Sequence, residues 1–119
     1  MTVDIFKSTA LVFVGGGVGA SLRYFISLSS LALGARPWIG TLVANLIGCL
    51  LFSLLERFEV RDPQLNLLLK TGKIGSLTTF STFAFEVVSL YKLGNYLESG
   101  LVFSLNIVIG LLIGYLVLK

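Results

Sequence analysis

Uncharged apolar runs dominate the chain and set its elements. The first extends from Ser8 to about Leu33 and is interrupted only by Arg23. The second, Pro37 to Leu55, has 19 residues and no charge. The third, Leu65 to Leu90, contains Lys70, Lys73 and Glu86 and reads as irregular. The fourth, Ser99 to Leu118, has 20 residues and no charge. A helix needs about 20 apolar residues to cross a bilayer, so each run predicts one transmembrane helix. Transmembrane strands would show segments of roughly ten alternating residues, and these runs are longer and continuously apolar. The charges gather in short connectors: Gly34-Ala35-Arg36-Pro37, with Pro37 suited to a first helical turn, the segment from Glu56 to Pro63, and Lys92-Leu93-Gly94-Asn95. No connector is long enough to separate domains, so residues 1–119 are expected to form one four-helix domain.

Composition confirms the class. Of 119 residues, 55% are hydrophobic and only 13% charged, with a mean hydropathy of +0.95. A soluble domain carries roughly a quarter charged residues. The absence of histidine removes imidazole bases, Ser-His triads and His-ligated metals. A single cysteine, Cys49, excludes an intrachain disulfide and paired-cysteine metal or redox sites. The nine basic residues are dispersed, so no nucleic-acid surface is implied. The expectation is a multi-pass membrane protein without enzymatic chemistry. The segment from Met1 to Lys7 carries Asp4 beside its lysine, precedes too long an apolar run and lacks a small-residue cleavage site, so a removable signal is not expected.

Four spans place both termini on one side. That side holds Lys7, Arg57, Arg61, Lys70 and Lys119; the other holds Arg23, Arg36 and Lys92. The balance favours a cytoplasmic N-terminus, by a small margin. Four short helices enclose little volume, so a pore requires a second subunit. Gly15-x-x-x-Gly19 and Gly110-x-x-x-Gly114 offer close helix contacts, either between subunits or within the chain.

Polar groups in hydrocarbon are costly and default to functional candidates. Asn45 stands midway along the second run, within Gly40-Thr41-Leu42-Val43-Ala44-Asn45-Leu46-Ile47-Gly48, either as a functional donor or as a packing clamp. The third run reads Thr71-Gly72-Lys73-Ile74-Gly75-Ser76-Leu77-Thr78-Thr79-Phe80-Ser81-Thr82-Phe83. Glycines followed by hydroxyl residues at membrane depth predict a broken helix, tolerated only where protein or water satisfies the backbone. Such a break frees carbonyls, which suit a small cation, and N–H groups, which suit an anion. Phe80 and Phe83 share a face, and a phenyl ring has a positive edge; lipid contact is the alternative role.

These motifs, GxxGxLTTFSTF followed by Glu86, with GTLxxNLxG upstream and GxxxGxxLR in the first helix, resemble the Fluc (CrcB) family of fluoride channels over nearly the whole chain. The resemblance implies an all-α membrane protein of four transmembrane helices, the third broken near its middle, in an antiparallel dimer with two pores. It implies passive fluoride export and a structural sodium ion. By matching position, Asn45, Phe80, Phe83, Ser81, Thr82 and Thr79 would line the pore. Arg23 would form a vestibule, and Glu86 and Asn106 would be further membrane polar groups. The backbone carbonyls of Gly75 and Thr78 would hold sodium.

Two departures stand out. Lys73 occupies a position where that family usually has an apolar residue. A lysine costs about 2.5–3.5 kcal/mol at a helix centre, and its ammonium is expected to replace or weaken the central sodium. Two such lysines about 6 Å apart would repel by roughly 3 kcal/mol at an effective dielectric of 20. The fourth helix, moreover, has Gly110 and Gly114 where the family carries hydroxyls. Both features favour a heterodimer with a paralogous second subunit over a homodimer. The competing readings are a small multidrug antiporter subunit, for which the first helix lacks a carboxylate, and a structural membrane scaffold.

Overall fold

The computed structural model describes residues 4–119. Met1 to Val3, which open the stretch considered as a signal, lie outside them. The described residues form five helices. Helix α1 is Ile5–Ala32, opened by Asp4, whose carboxylate accepts the Lys7 amide at 3.1 Å. Helix α2 is Pro37–Arg57, with proline at its first turn, where a missing N–H costs nothing. Helix α3, residues 63–77, starts at Pro63 behind an Asp62 cap and passes through a π-helical stretch at Leu67–Ile74. Helix α4 is Phe80–Lys92. Helix α5 is Tyr96–Leu118, with a π-helical stretch at Leu105–Ile109. Gly34 and Gly94 close α1 and α4 at φ +79° and +80°, backbone angles that favour glycine.

Helices α1, α2 and α5 are each long and apolar enough to cross a membrane. Helices α3 and α4 form the third span, interrupted at Thr78 and Thr79, whose ψ angles of 152° and 117° are extended. The protein is therefore an all-α, multi-pass membrane protein with its third span broken, as its apolar runs predict. The fourth helix begins three residues before the expected Ser99. Its early turn tolerates Glu98 because that carboxylate accepts both Arg36, at 2.6 and 2.7 Å, and the Trp38 indole N–H at 2.7 Å. The two Arg36–Glu98 bonds, and then the charge of Glu98, hold the Arg36 guanidinium more firmly protonated than usual. At the opposite end, Arg57 donates to the Val117 carbonyl at 2.5 Å and ties α2 to α5.

Backbone contact, more than side-chain bulk, joins α1 to α3. A Cβ on Gly15 would fall on the Leu68 carbonyl oxygen, and one on Gly19 on the Lys73 carbonyl oxygen. Gly72 faces back: its Cβ would lie 2.9 Å from Gly15 Cα. The first small-residue motif thus serves packing within the chain. The second packs α5 on α2, more loosely. The buried apolar set is small: Ala44, Ile74, Leu77, Phe83, Leu90 and Val102. Most large apolar side chains, Phe13, Phe25, Phe85 and Leu111 among them, point outward, as expected where lipid replaces water as the solvent.

Gly19→Ala should lower unfolding stability by about 1–3 kcal/mol through overpacking. Gly16→Ala, where a Cβ meets nothing within 4 Å, should stay within about 0.5 kcal/mol. Thermal unfolding in detergent distinguishes them; equal losses would show that α1 does not meet α3 through this face.

Candidate functional site

The break in the third span is held by one side chain from α2. A continued helix would give the Thr79 N–H to the Gly75 carbonyl. It goes instead to Asn45 Oδ1 at 2.8 Å. The same amide donates to the Thr79 carbonyl at 3.2 Å and to Asn106 Oδ1 at 2.9 Å. Asn106 in turn donates to the Val102 carbonyl at 2.9 Å. Both donors of Asn45 are therefore occupied within the chain, and its amide stands in for the backbone partner that Thr79 lost. Gly48, one turn along α2, makes the approach possible, because a Cβ there would collide with the Thr78 methyl.

Thr79 also caps α4. Its hydroxyl accepts the Thr82 amide at 3.3 Å, donates to the Thr82 hydroxyl at 3.1 Å and lies 3.3 Å from the Ser81 hydroxyl. An N-cap satisfies an amide the helix itself leaves free. Thr78 turns its hydroxyl back to the Ile74 carbonyl at 3.1 Å. The hydroxyls of Thr79, Ser81 and Thr82 thus form one cluster at the start of α4, while Thr78 points away from it.

An open cleft of about 510 Å³ lies beside this junction, between α2, α3, α4 and α5. It is lined by Asn45, Gly75, Thr78, Thr79, Phe80, Phe83 and Asn106, which the sequence had marked. Phe80 is 76% exposed, while Phe83 is 5% exposed. Their rings meet edge to face at 5.7 Å, and Phe83 also stacks on Phe103 at 6.2 Å. Phe83 therefore belongs to the core on one side and borders the cleft on the other.

Five marked residues do not line the cleft. Ser81 and Thr82 stand next to it in the first turn of α4, and Arg23, Glu86 and Lys73 lie elsewhere. Arg23 donates from Nε to the Ser76 carbonyl at 3.0 Å, where a cation meets the negative end of α3. Ser76 donates to the Gly16 carbonyl at 2.8 Å, so α1 and the last turn of α3 are tied twice. Glu86 accepts the Thr41 hydroxyl on Oε1 at 2.7 Å, and its Oε2 is buried without a partner among the described residues. Lys73 lines a separate cavity of about 240 Å³ with Leu51, Leu54, Leu55 and Phe58 of α2 and its following turn. It does not share the cleft with Gly75 and Thr78.

The cleft also contains residues that sequence reasoning passed over: Cys49, Phe52, Ser53 and Lys70. The signal was available, since Asn45, Cys49 and Ser53 are spaced four apart and so share one face of α2. Within an apolar run, Cys49 and Ser53 look like ordinary small packing residues.

Comparison with known proteins agrees over most of the chain. Residues 10–118 match a family model described as CrcB-like protein, Camphor Resistance (CrcB). A protein of Yersinia pestis named fluoride-specific ion channel FluC 1 is 43% identical over 94 residues, covering 76% of this chain and 74% of its own length. One of Serratia proteamaculans named fluoride-specific ion channel FluC is 42% identical over 95 residues, 76% of this chain and 75% of that one. Another of that name from Pectobacterium atrosepticum is 38% identical over 107 residues, 87% and 84%.

Asn45→Ala strips both Thr79 backbone groups of their partner, and each buried group left unsatisfied costs about 1–3 kcal/mol. A marked fall in melting temperature is expected, with a smaller one for Asn45→Asp, which still accepts the Thr79 N–H. A melting curve for Asn45→Ala that overlays the parent would remove the clamp.

Proposed function

The chain belongs to the CrcB family, and from that membership we propose that it is a fluoride channel subunit that lets the ion leave the cell passively. Its relatives are named as ion channels, and neither this site nor the family calls for enzymatic chemistry. The observation that carries the reading is the cleft itself. A broken span, an aromatic edge and a group of hydroxyls converge on one open hollow that a single chain leaves unclosed. A second subunit closes it in this proposal, packed antiparallel so that each of two pores takes walls from both chains. Fluoride is small and strongly hydrated. A selective path must replace its water with hydrogen-bond donors while binding weakly enough for release. Ser81 and Thr82 offer hydroxyls beside the exposed Phe80, whose ring edge adds a weak positive field. Asn45 contributes by fixing the break, since its own donors are spent.

A central sodium fits the chemistry of the break. Hard cations take oxygen ligands, and Asn45 has withdrawn the donor that the Gly75 carbonyl would otherwise receive. The Gly75 and Thr78 carbonyls would hold the ion, which supplies a fixed positive charge between subunits. The alternative cation, the Lys73 ammonium, would have to reach these carbonyls from the neighbouring cavity that Lys73 lines; sodium is the reading the placement supports better. Lys73 retains a role in partner choice. Two copies near a shared axis repel, which favours a paralogous partner lacking the lysine over self-pairing.

Purified chain reconstituted in liposomes with a co-expressed paralogue should release fluoride but not chloride, and faster than the chain alone; a stable, conducting homodimer of this chain alone would overturn the heterodimer. Phe80→Ile should cut that efflux severalfold while the dimer persists on size-exclusion chromatography; unchanged efflux would take Phe80 out of the path. Removing sodium should weaken assembly in both the parent and Lys73→Met. If only Lys73→Met responds to sodium, the lysine and not the ion is the native cation.

A further inference from the structure

Helix α5 faces the cleft without hydroxyls, and the reason is visible across from it. A Cβ on Gly110 would lie 3.4 Å from Cys49 Sγ, and one on Gly114 would lie 3.7 Å from Ser53 Oγ. Both are ordinary contact distances, so close packing does not demand glycine here. The two glycines set α5 beside Cys49 and Ser53 without a side chain of their own in between. Ser53 is 6% exposed and borders the cleft, and its hydroxyl takes part in none of the hydrogen bonds described above. Serines inside helices usually return their proton to the preceding turn. Here that proton is free to meet something in the cleft.

We propose that α2 of this chain carries the donor track for the ion, running from the Asn45 clamp past Cys49 to Ser53, with the Ser53 hydroxyl as its principal fluoride-binding donor. The inference rests on the channel reading above and assigns residues to it. The track has a direction. Asn45 stands at the break in mid-membrane, and Ser53 lies one turn from the end of α2 at Arg57. Lys70 borders the same end of the cleft, paired with Glu56 and 5.7 Å from the Phe52 ring centre. Glu56 offsets some of the Lys70 charge, so an arriving anion is attracted without being held, and Ser53 is the first uncommitted donor beyond it. Cys49 continues the path with a weaker S–H donor. Neutral donors arranged in series suit passage better than one full charge.

The test is fluoride efflux from liposomes with the full-length chain, in whichever dimer conducts. Ser53→Ala should slow efflux about tenfold, the scale of losing one hydrogen bond to a charged group. Adding Gly114→Ser to Ser53→Ala should recover much of the rate, because a Cβ on Gly114 lies 3.7 Å from the Ser53 Oγ position and carries the new hydroxyl next to it. Gly114→Val keeps the serine but covers it, and should slow efflux as well; it decides the matter if Ser53→Ala does not fold. A conducting parent whose rate survives both Ser53→Ala and Gly114→Val overturns the track and leaves the channel reading standing. Loss in Ser53→Ala without recovery in the double variant assigns Ser53 to packing and overturns it too. A parent that passes no fluoride in any dimer overturns both readings.

Discussion

A backbone cannot be left unpaired in hydrocarbon, and the rest of this protein is arranged around the one place where its backbone leaves a helix. At Thr78 and Thr79 the third span turns extended. Water is scarce at that depth, so each N–H and C=O released must find a partner in the protein. Asn45 answers for Thr79 on both counts. Its carboxamide has the same donor and acceptor as a peptide group, which lets α2 pair with the break as a neighbouring strand would. The Thr79 hydroxyl answers for the start of α4. The break is thereby a fixed feature with defined geometry, and the cleft beside it has a rigid wall.

That arrangement depends on close approach, which the glycines supply. Gly48 admits Thr78, Gly15 and Gly19 admit the backbone of α3, and Gly40 admits α1, where a Cβ would lie 2.8 Å from Ser27 Cα. One short stretch of α2 thus performs four tasks within about three turns. Gly40 docks α1, Thr41 meets Glu86, Asn45 holds the break, and Gly48 gives it room. The π-helical stretch at Leu67–Ile74 lies where α3 meets the glycine face of α1. Two other charges follow the same economy: Arg23 reaches a carbonyl at the end of α3, and Lys70 reaches Glu56.

The outward-facing surface is overwhelmingly apolar, and the core is correspondingly thin. In a bilayer this is no defect, because lipid tails are as apolar as leucine and burial of such side chains yields little. Specific hydrogen bonds and backbone contacts therefore matter more here than they would in a soluble four-helix bundle. The cleft departs from that surface, since it combines hydroxyls, carbonyls and an aromatic edge in one hollow.

The four spans, the class and the place of the break were legible in the chain itself. Apolar run length reports directly on bilayer thickness, and glycine beside clustered hydroxyls reports on a weakened helix. Family membership was equally legible, through motifs whose residues prove to touch one another. The partners of those residues were not. Asn45 could be read as a donor or as a clamp, and only the packing of α2 against Thr79 showed where its hydrogen bonds go. Lys73 and Gly75 are two residues apart, yet the fold assigns them to different cavities. Gly110 and Gly114 read as lost hydroxyls, while the fold shows Cys49 and Ser53 behind them. Sequence periodicity specifies which residues share a face of one helix; which faces meet, and what stands between them, is set by how the helices cross, and that is a property of the assembled chain.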